Sequence, residues 1–262
     1  MRLPLYQIDA FTARRFGGNP AAVVPLAEWL PDATLQAIAA ENNLSETAFL
    51  RREGEDYALR WFTPTVEVDL CGHATLASAF AVFRFLEPGR ERVRFRTLKA
   101  GTLTVARQGE LLAMDFPSRP PRPCALPAGL VAALRKAPAT VLAARDLLAV
   151  YAREEDVADL APDTAALAAL DGHYAVIVTA PGTGEIDFVS RFFAPRQGIP
   201  EDPVTGSAHC TLIPYWAERL GRTALTARQI SARVGDLRCE LQGERVSIAG
   251  ACALYLEGTI TL

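Results

Sequence analysis

The strongest constraint in this 262-residue chain is an internal duplication. Arg60-Trp61-Phe62-Thr63-Pro64 returns 131 positions later as Arg191-Phe192-Phe193-Ala194-Pro195. Cys71-Gly72-His73-Ala74 returns 134 positions later as Thr205-Gly206-Ser207-Ala208. Both offsets are close to half the chain, and the strings keep their order. In each copy a strand-like string ends at proline, a short acidic loop follows, and a glycine opens an apolar helix. Two homologous halves account for this better than a many-unit solenoid. The length is sufficient for two small cores.

Local patterning fills in the halves. Leu3 to Phe11 alternates apolar and polar residues as a strand, Gly17-Gly18-Asn19-Pro20 forces a turn, and Ala21 to Val24 reads as the next strand. Asp32 is placed to cap a helix from about 33 to 42, with Leu35, Ile38 and Ala39 at helical spacing. Strands are expected at 48–50, 57–62, 92–96, 101–107 and 111–116, and a strongly apolar helix at 74–86. Four prolines between Pro117 and Pro123 predict an extended, unpaired connector. The halves are therefore set at 1–117 and 118–262, with the last strand a candidate to return to the N-terminal half. The second half carries predicted helices at 128–136, 163–170 and 207–220, and strands at 146–151, 174–179, 186–193 and near the C-terminus. Pro214 falls inside the last helix and should kink it.

Composition excludes several classes of function. Net charge is −3, with no polybasic run to hold nucleic acid. Five cysteines, an odd number without a CxxC pair, argue against a disulfide framework and fit a reducing cytoplasm. The N-terminal segment has no long apolar region of the signal-peptide kind, and no stretch of about 18 uncharged apolar residues suggests a membrane span. No P-loop or dinucleotide fingerprint occurs, and no linear His/Cys/carboxylate spacing suits a metal, so no cofactor is expected.

The repeated Gly-plus-small-polar helix starts are the first candidate chemistry. Unpaired N–H groups and the helix dipole favour an anion there, and glycine permits close approach. Gly72 and Gly206 each read alone as tight turns; as a matched pair they suit a carboxylate substrate and a developing enolate in a cleft between the halves. His73 lies at the first helix start, where the dipole should keep its imidazole neutral. Asp202 precedes the second start, as a catalytic acid or a turn cap. Glu46 lies where a helix ends and a strand begins, and partial burial there would suit general acid–base work. Cys71 reads as a small buried residue or a one-sided base. His173 and His209 show no partner in the sequence.

Taken together, these segments resemble the PhzF-like, phenazine-biosynthesis-type isomerases of the diaminopimelate-epimerase-like fold. The resemblance runs through Asp9-Ala10-Phe11-Thr12 with Phe16 and Gly18-Asn19-Pro20, then Ser45-Glu46-Thr47-Ala48-Phe49 and Arg60-Trp61-Phe62-Thr63-Pro64. It continues through Asp69-Leu70-Cys71-Gly72-His73-Ala74-Thr75 and ends at Glu201-Asp202-Pro203-Val204-Thr205-Gly206-Ser207-Ala208. It implies an α+β fold of two similar halves, each a curved, mostly antiparallel sheet around a central helix. It implies a cofactor-independent isomerase with Glu46 as acid/base, assisted by His73 and Asp202. Gly72, Gly206 and Ser207 would grip the substrate carboxylate, Asn19 would face the same cleft as a further substrate-binding residue, and the assembly would be a homodimer. Related epimerases use a cysteine on each side of the cleft. Here Cys71 pairs with Thr205 in the repeat, which disfavours two-thiol racemisation. An epimerase or racemase pairing Glu46 with Asp202 or Cys71 stays open, as does a binding protein without turnover. A serine hydrolase through Ser207 lacks the GxSxG elbow.

Overall fold

The computed structural model describes residues 1–262 apart from 171, 173 and 174, so His173 and the start of the strand predicted from Tyr174 lie outside the described residues. The chain divides into two compact units, Met1–Asp115 with Ala249–Leu262, and Phe116–Ile248.

The first unit contains β1 (Arg2–Ala10), β2 (Asn19–Leu26), α1 (Asp32–Asn42), β3 (Glu46–Glu53), β4 (Asp56–Phe62) and β5 (Glu67–Val68). Next come α2 (Gly72–Ala81), which runs into a π-helical turn at Val82–Leu86, and β6 (Arg92–Arg96), β7 (Thr102–Gln108) and β8 (Leu111–Pro117). The second contains β9 (Arg122–Pro123), α3 (Leu130–Leu134), β10 (Thr140–Ala143), β11 (Leu147–Val150), α4 (Glu154–Ala158) and α5 (Thr164–Ala168). It continues with β12 (Val176–Pro181), β13 (Phe188–Ala194), β14 (Ile199–Asp202), α6 (Gly206–Leu220), β15 (Ala224–Gln229) and β16 (Gly235–Gln242). After β17 (Arg245–Gly250), β18 (Cys252–Thr261) rejoins the first unit.

The two units repeat one pairing scheme. In the first, strands follow the order β18-β1-β2-β3-β4-β6-β7-β8, antiparallel except at β2–β3 and β4–β6, with β5 also on β4. In the second the order is β9-β10-β11-β12-β13-β15-β16, antiparallel except at β11–β12 and β13–β15, with β14 on β13. Trp61 faces Val68, and its repeat mate Phe192 faces Asp202.

The duplicated arginine explains why the pattern persists. Arg60 grips Glu67 with Nε to Oε1 at 2.7 Å and Nη2 to Oε2 at 2.8 Å. Arg191 grips Glu201 in the same fork, at 2.7 Å and 2.9 Å. Each guanidinium also lies over the phenyl ring two residues on, Phe62 at 5.1 Å and Phe193 at 5.0 Å. A planar bidentate clamp fixes direction as well as distance. In both units it ties the end of a strand to the loop that leads into the apolar helix.

Those helices have little solvent face. α2 buries His73 through Ala79 and Ala81, as a helix that is apolar all round must. Its buried hydroxyls are satisfied by back-bonding, Thr75 to the Cys71 carbonyl at 2.6 Å and Ser78 to that of Ala74 at 2.7 Å. In α6, Trp216 stacks on Phe188 at 5.6 Å and donates its indole N–H to Thr179 at 3.0 Å. Among the described residues, no helix is long and apolar enough to cross a membrane.

Several expectations are corrected. Asp32 does not cap α1: the N-cap is Pro31, without a side-chain cap bond, and Asp32 pairs with Arg60 at 2.9 Å. The proline-rich connector is not unpaired. Arg122-Pro123 pairs with β10, and Ser118 N–H donates to the Glu244 carbonyl. Arg119 N–H donates to the Cys210 carbonyl at 2.8 Å. That carbonyl is the one that Pro214, lacking an N–H four residues on, cannot satisfy. β10, α4 and β14 were not anticipated, since four or five residues carry no readable period.

His209 is fully buried in α6, with Nδ1 donating to the Thr205 carbonyl at 2.9 Å and the ring against Phe188. Burial pushes its pKa down to about 4, below the ordinary 6.5 of an unfolded chain. Stability is therefore complete above pH 6.5 and is lost as pH falls from there towards about 4, because only the unfolded chain takes up the proton. Urea unfolding at pH 7.5 and pH 5 should show a loss of about 2 kcal/mol from this group. His209→Gln should flatten that interval; an unchanged pH dependence in the variant would remove His209 as its source.

Candidate active site

The first constellation is assembled from three strand and helix ends. Gly18 has φ +59°, and a Cβ there would lie 2.0 Å from the Ala10 carbonyl oxygen, so only glycine can make this turn. Asp9 steadies the turn by accepting the Phe16 N–H at 2.9 Å. Asn19 then opens β2 opposite Ala10 and is fully buried. Parallel pairing of Ala21 with Glu46 sets the carboxylate at the start of β3, and Asn42 ties the end of α1 to Thr47 at 3.0 Å. Glu46 is thus the first residue of a strand, not of the loop before it. Cys71 is the N-cap of α2, which brings in His73.

These residues meet. His73 Nε2 lies 3.1 Å from Glu46 Oε2, and both side chains are at least nine-tenths buried. The contact is an ion-pair distance and not an aligned hydrogen bond: among the described residues, Glu46 Oε2 has no hydrogen-bond partner. Asn19 Nδ2 lies 3.1 Å from His73 Nδ1, and Cys71 Sγ is 3.5 Å from Nδ1 and 3.9 Å from Nε2. With an amide N–H facing Nδ1, the neutral ring carries its proton on Nε2, towards Glu46; the charged ring carries one on each nitrogen, and Asn19 then turns its amide oxygen to Nδ1. Burial of His73 opposes its charging, but the Cys71 sulfur within hydrogen-bonding distance and the Glu46 carboxylate beside the ring overcome this and lift the imidazole well above its ordinary range. The expectation of a neutral His73 weighed the helix dipole alone; a buried carboxylate at contact distance outweighs it. Burial, reinforced by Glu46, pushes the Cys71 thiol up to about 11, so it is protonated near neutral pH. The three ligand-bearing atoms of Glu46, Cys71 and His73 lie within 4.8 Å of one another.

The second constellation lies at the start of α6. Thr205, its N-cap, donates its hydroxyl to Asp202 in a short hydrogen bond. Gln229 is wholly buried and braces this loop, accepting Thr205 N–H at 2.9 Å and donating to the Asp202 carbonyl at 2.8 Å. Ser231 holds the Pro203 carbonyl at 2.7 Å. Gly206 opens the helix, and the Ser207 hydroxyl lies 3.5 Å from Arg145 Nη2.

Asn19, Glu46, Gly72 and His73 therefore come together in the first unit, and Asp202, Gly206 and Ser207 in the second. Sequence reasoning missed Gln229 and Arg145. Gln229 had a signal: Leu225, Ala227 and Gln229 alternate as the buried face of β15, so a polar residue stands in an inward position. Arg145 had none. Removing Gln229 would leave a buried N–H without its acceptor, so Gln229→Ala should cost about 2 kcal/mol in denaturant unfolding. An unshifted midpoint would show that the 202–205 loop holds without it.

Fold and site define a two-unit α+β protein of the diaminopimelate-epimerase-like class, with a buried carboxylate–imidazole–thiol cluster at the start of one central helix. The chain belongs to the phenazine biosynthesis-like (PhzC-PhzF) family, whose model matches residues 8–258. It is 55% identical over 262 residues to "Uncharacterized isomerase PA2770" of Pseudomonas aeruginosa, with both chains fully covered. It is 40% identical over 289 residues to the human phenazine biosynthesis-like domain-containing protein, again over the whole of both. A crystal structure of a PhzF-family phenazine biosynthesis protein from Enterococcus faecalis superposes with a TM-score of 0.97 at 48% identity, covering 100% of each chain.

Proposed function

We propose that this protein is an isomerase that moves a proton on a small carboxylate-bearing metabolite, with Glu46 as the general acid/base. The observation that carries the reading is the buried Glu46 carboxylate whose Oε2, without an aligned hydrogen bond, faces His73 Nε2 at 3.1 Å. An oxygen held in place yet not committed to a donor is free to take and return a substrate proton. His73, with Asn19 behind it, orients that carboxylate. Relatives named as isomerases support the same reading.

The remaining roles follow from chemistry. Asp202, held by Thr205, assists by polarising the substrate. Each unit, taken by itself, offers a carboxylate donors at its helix start: backbone N–H groups at Gly72 in the first, and at Gly206 with the Ser207 hydroxyl in the second. Arg145 adds positive charge beside Ser207. Two-thiol racemisation is disfavoured on the Thr205 side, where the hydroxyl is committed to Asp202.

The test is hydrogen exchange in heavy water across a panel of amino, hydroxy and unsaturated carboxylic acids, followed by NMR. The protein should move a double bond with deuterium appearing at the receiving carbon, and Glu46→Gln should lower the rate by about two to four orders of magnitude. Deuterium entering one carbon with inversion would point instead to an epimerase. Full-rate turnover in Glu46→Gln would end the assignment of that residue.

A further inference from the structure

The fold brings together three side chains that no linear motif connects. Glu46 comes from the start of β3, and Cys71 and His73 from the start of α2; all three are buried. His73 Nε2 lies 3.1 Å from Glu46 Oε2 and 3.9 Å from Cys71 Sγ, and the three ligand atoms fall within 4.8 Å of one another. Tetrahedral zinc, with Zn–S of about 2.3 Å and Zn–N or Zn–O of about 2.0–2.1 Å, sets neighbouring ligand atoms about 3.3–3.5 Å apart. The two spacings at His73 Nε2 bracket that range, and the carboxylate and thiol, within 4.8 Å of each other, close the triangle with side-chain shifts of up to about an ångström.

A second, independent observation points the same way. Glu46 Oε2 is buried and turned towards this cluster without a hydrogen-bond partner among the described residues. On the far side of the ring, Asn19 holds Nδ1 at 3.1 Å, and its amide can turn to accept an Nδ1–H. A metal-bound histidine is steadied in this way by an outer partner. Thiolate plus imidazole selects zinc and its soft neighbours over magnesium or calcium.

We propose that Glu46, Cys71 and His73 form a three-ligand site for a thiophilic divalent cation, Zn2+, and that loading the site switches the enzyme off. The fourth position stays open, as at sites with three protein ligands. Binding expels the protons of the Cys71 thiol and His73 Nε2 and engages the carboxylate. The inhibitory part rests on the isomerase reading above, because the metal occupies the Glu46 oxygen that would carry the substrate proton. The binding part stands on geometry alone.

The experiment uses the full chain stripped of metal and titrated with Co2+, then with Zn2+ against a chromophoric chelator. One Co2+ per chain should bind with a thiolate-to-cobalt charge-transfer band and be displaced by Zn2+. Cys71→Ser should lose the band and weaken Zn2+ by at least about 100-fold; Glu46→Gln should keep the band and weaken Zn2+ by about 10- to 100-fold. An absent band, a band that survives in Cys71→Ser, or equal Zn2+ affinity in all three proteins would overturn the site. One equivalent of Zn2+ should abolish deuterium exchange in the wild type; full exchange by the loaded protein would overturn the inhibitory role. Cobalt binding through Cys71 in a chain that turns over no carboxylate would uphold the metal site and remove the isomerase reading, so the two failures are distinguishable.

Discussion

The candidate site of the first unit is organised around one contact, the buried pair of Glu46 and His73 at 3.1 Å. Taking a carboxylate and an imidazolium out of water costs on the order of several kcal/mol per ion, and only close mutual approach offsets it. The surrounding elements serve that approach. The Gly18 turn delivers Asn19 to the far side of the imidazole. Parallel pairing of β2 with β3 sets the height of Glu46. The back-bonded first turn of α2 holds the backbone from which His73 projects. A pair held but not aligned in a hydrogen bond is a poor way to gain stability and a good way to keep a proton-transfer group ready.

The second unit reuses the same architecture for another purpose. The Arg191–Glu201 fork repeats Arg60–Glu67, so the loop before α6 is fixed as the loop before α2 is. The residues carried there differ: Thr205 stands where the first copy has Cys71, and its hydroxyl holds Asp202. Duplication preserved the clamp and the helix start while the chemistry at the cap diverged. The buried polar network of Gln229, Thr205 and Asp202 braces the second loop.

Much of this was legible from residues alone. The Arg-x-Phe-x-Pro strings revealed the duplication because the clamp needs the arginine, the ring and the strand end in fixed order. Apolar helices at both glycine starts were legible from composition. Glu46 was legible only in part: its place between a helix and a strand suggested a buried carboxylate, and the family resemblance supplied its role. The Glu46–Cys71–His73 cluster was hidden, since strand pairing, not spacing, brings Glu46 to the Cys71-Gly72-His73 helix start. The electrostatics of His73 were misjudged for the same reason: the helix dipole is visible in sequence, the neighbouring carboxylate is not. Pro214 and the proline-rich connector were each noticed, yet their link through the Cys210 carbonyl is a tertiary fact.

The most direct test of the central pair is 15N–1H NMR of the His73 ring across pH, in the wild type and in Glu46→Gln. Nε2 should carry a proton throughout, the ring should titrate well above 6.5, and that value should fall when the carboxylate is neutralised. A ring that carries its proton on Nδ1, titrates at or below 6.5 and ignores the substitution would contradict it.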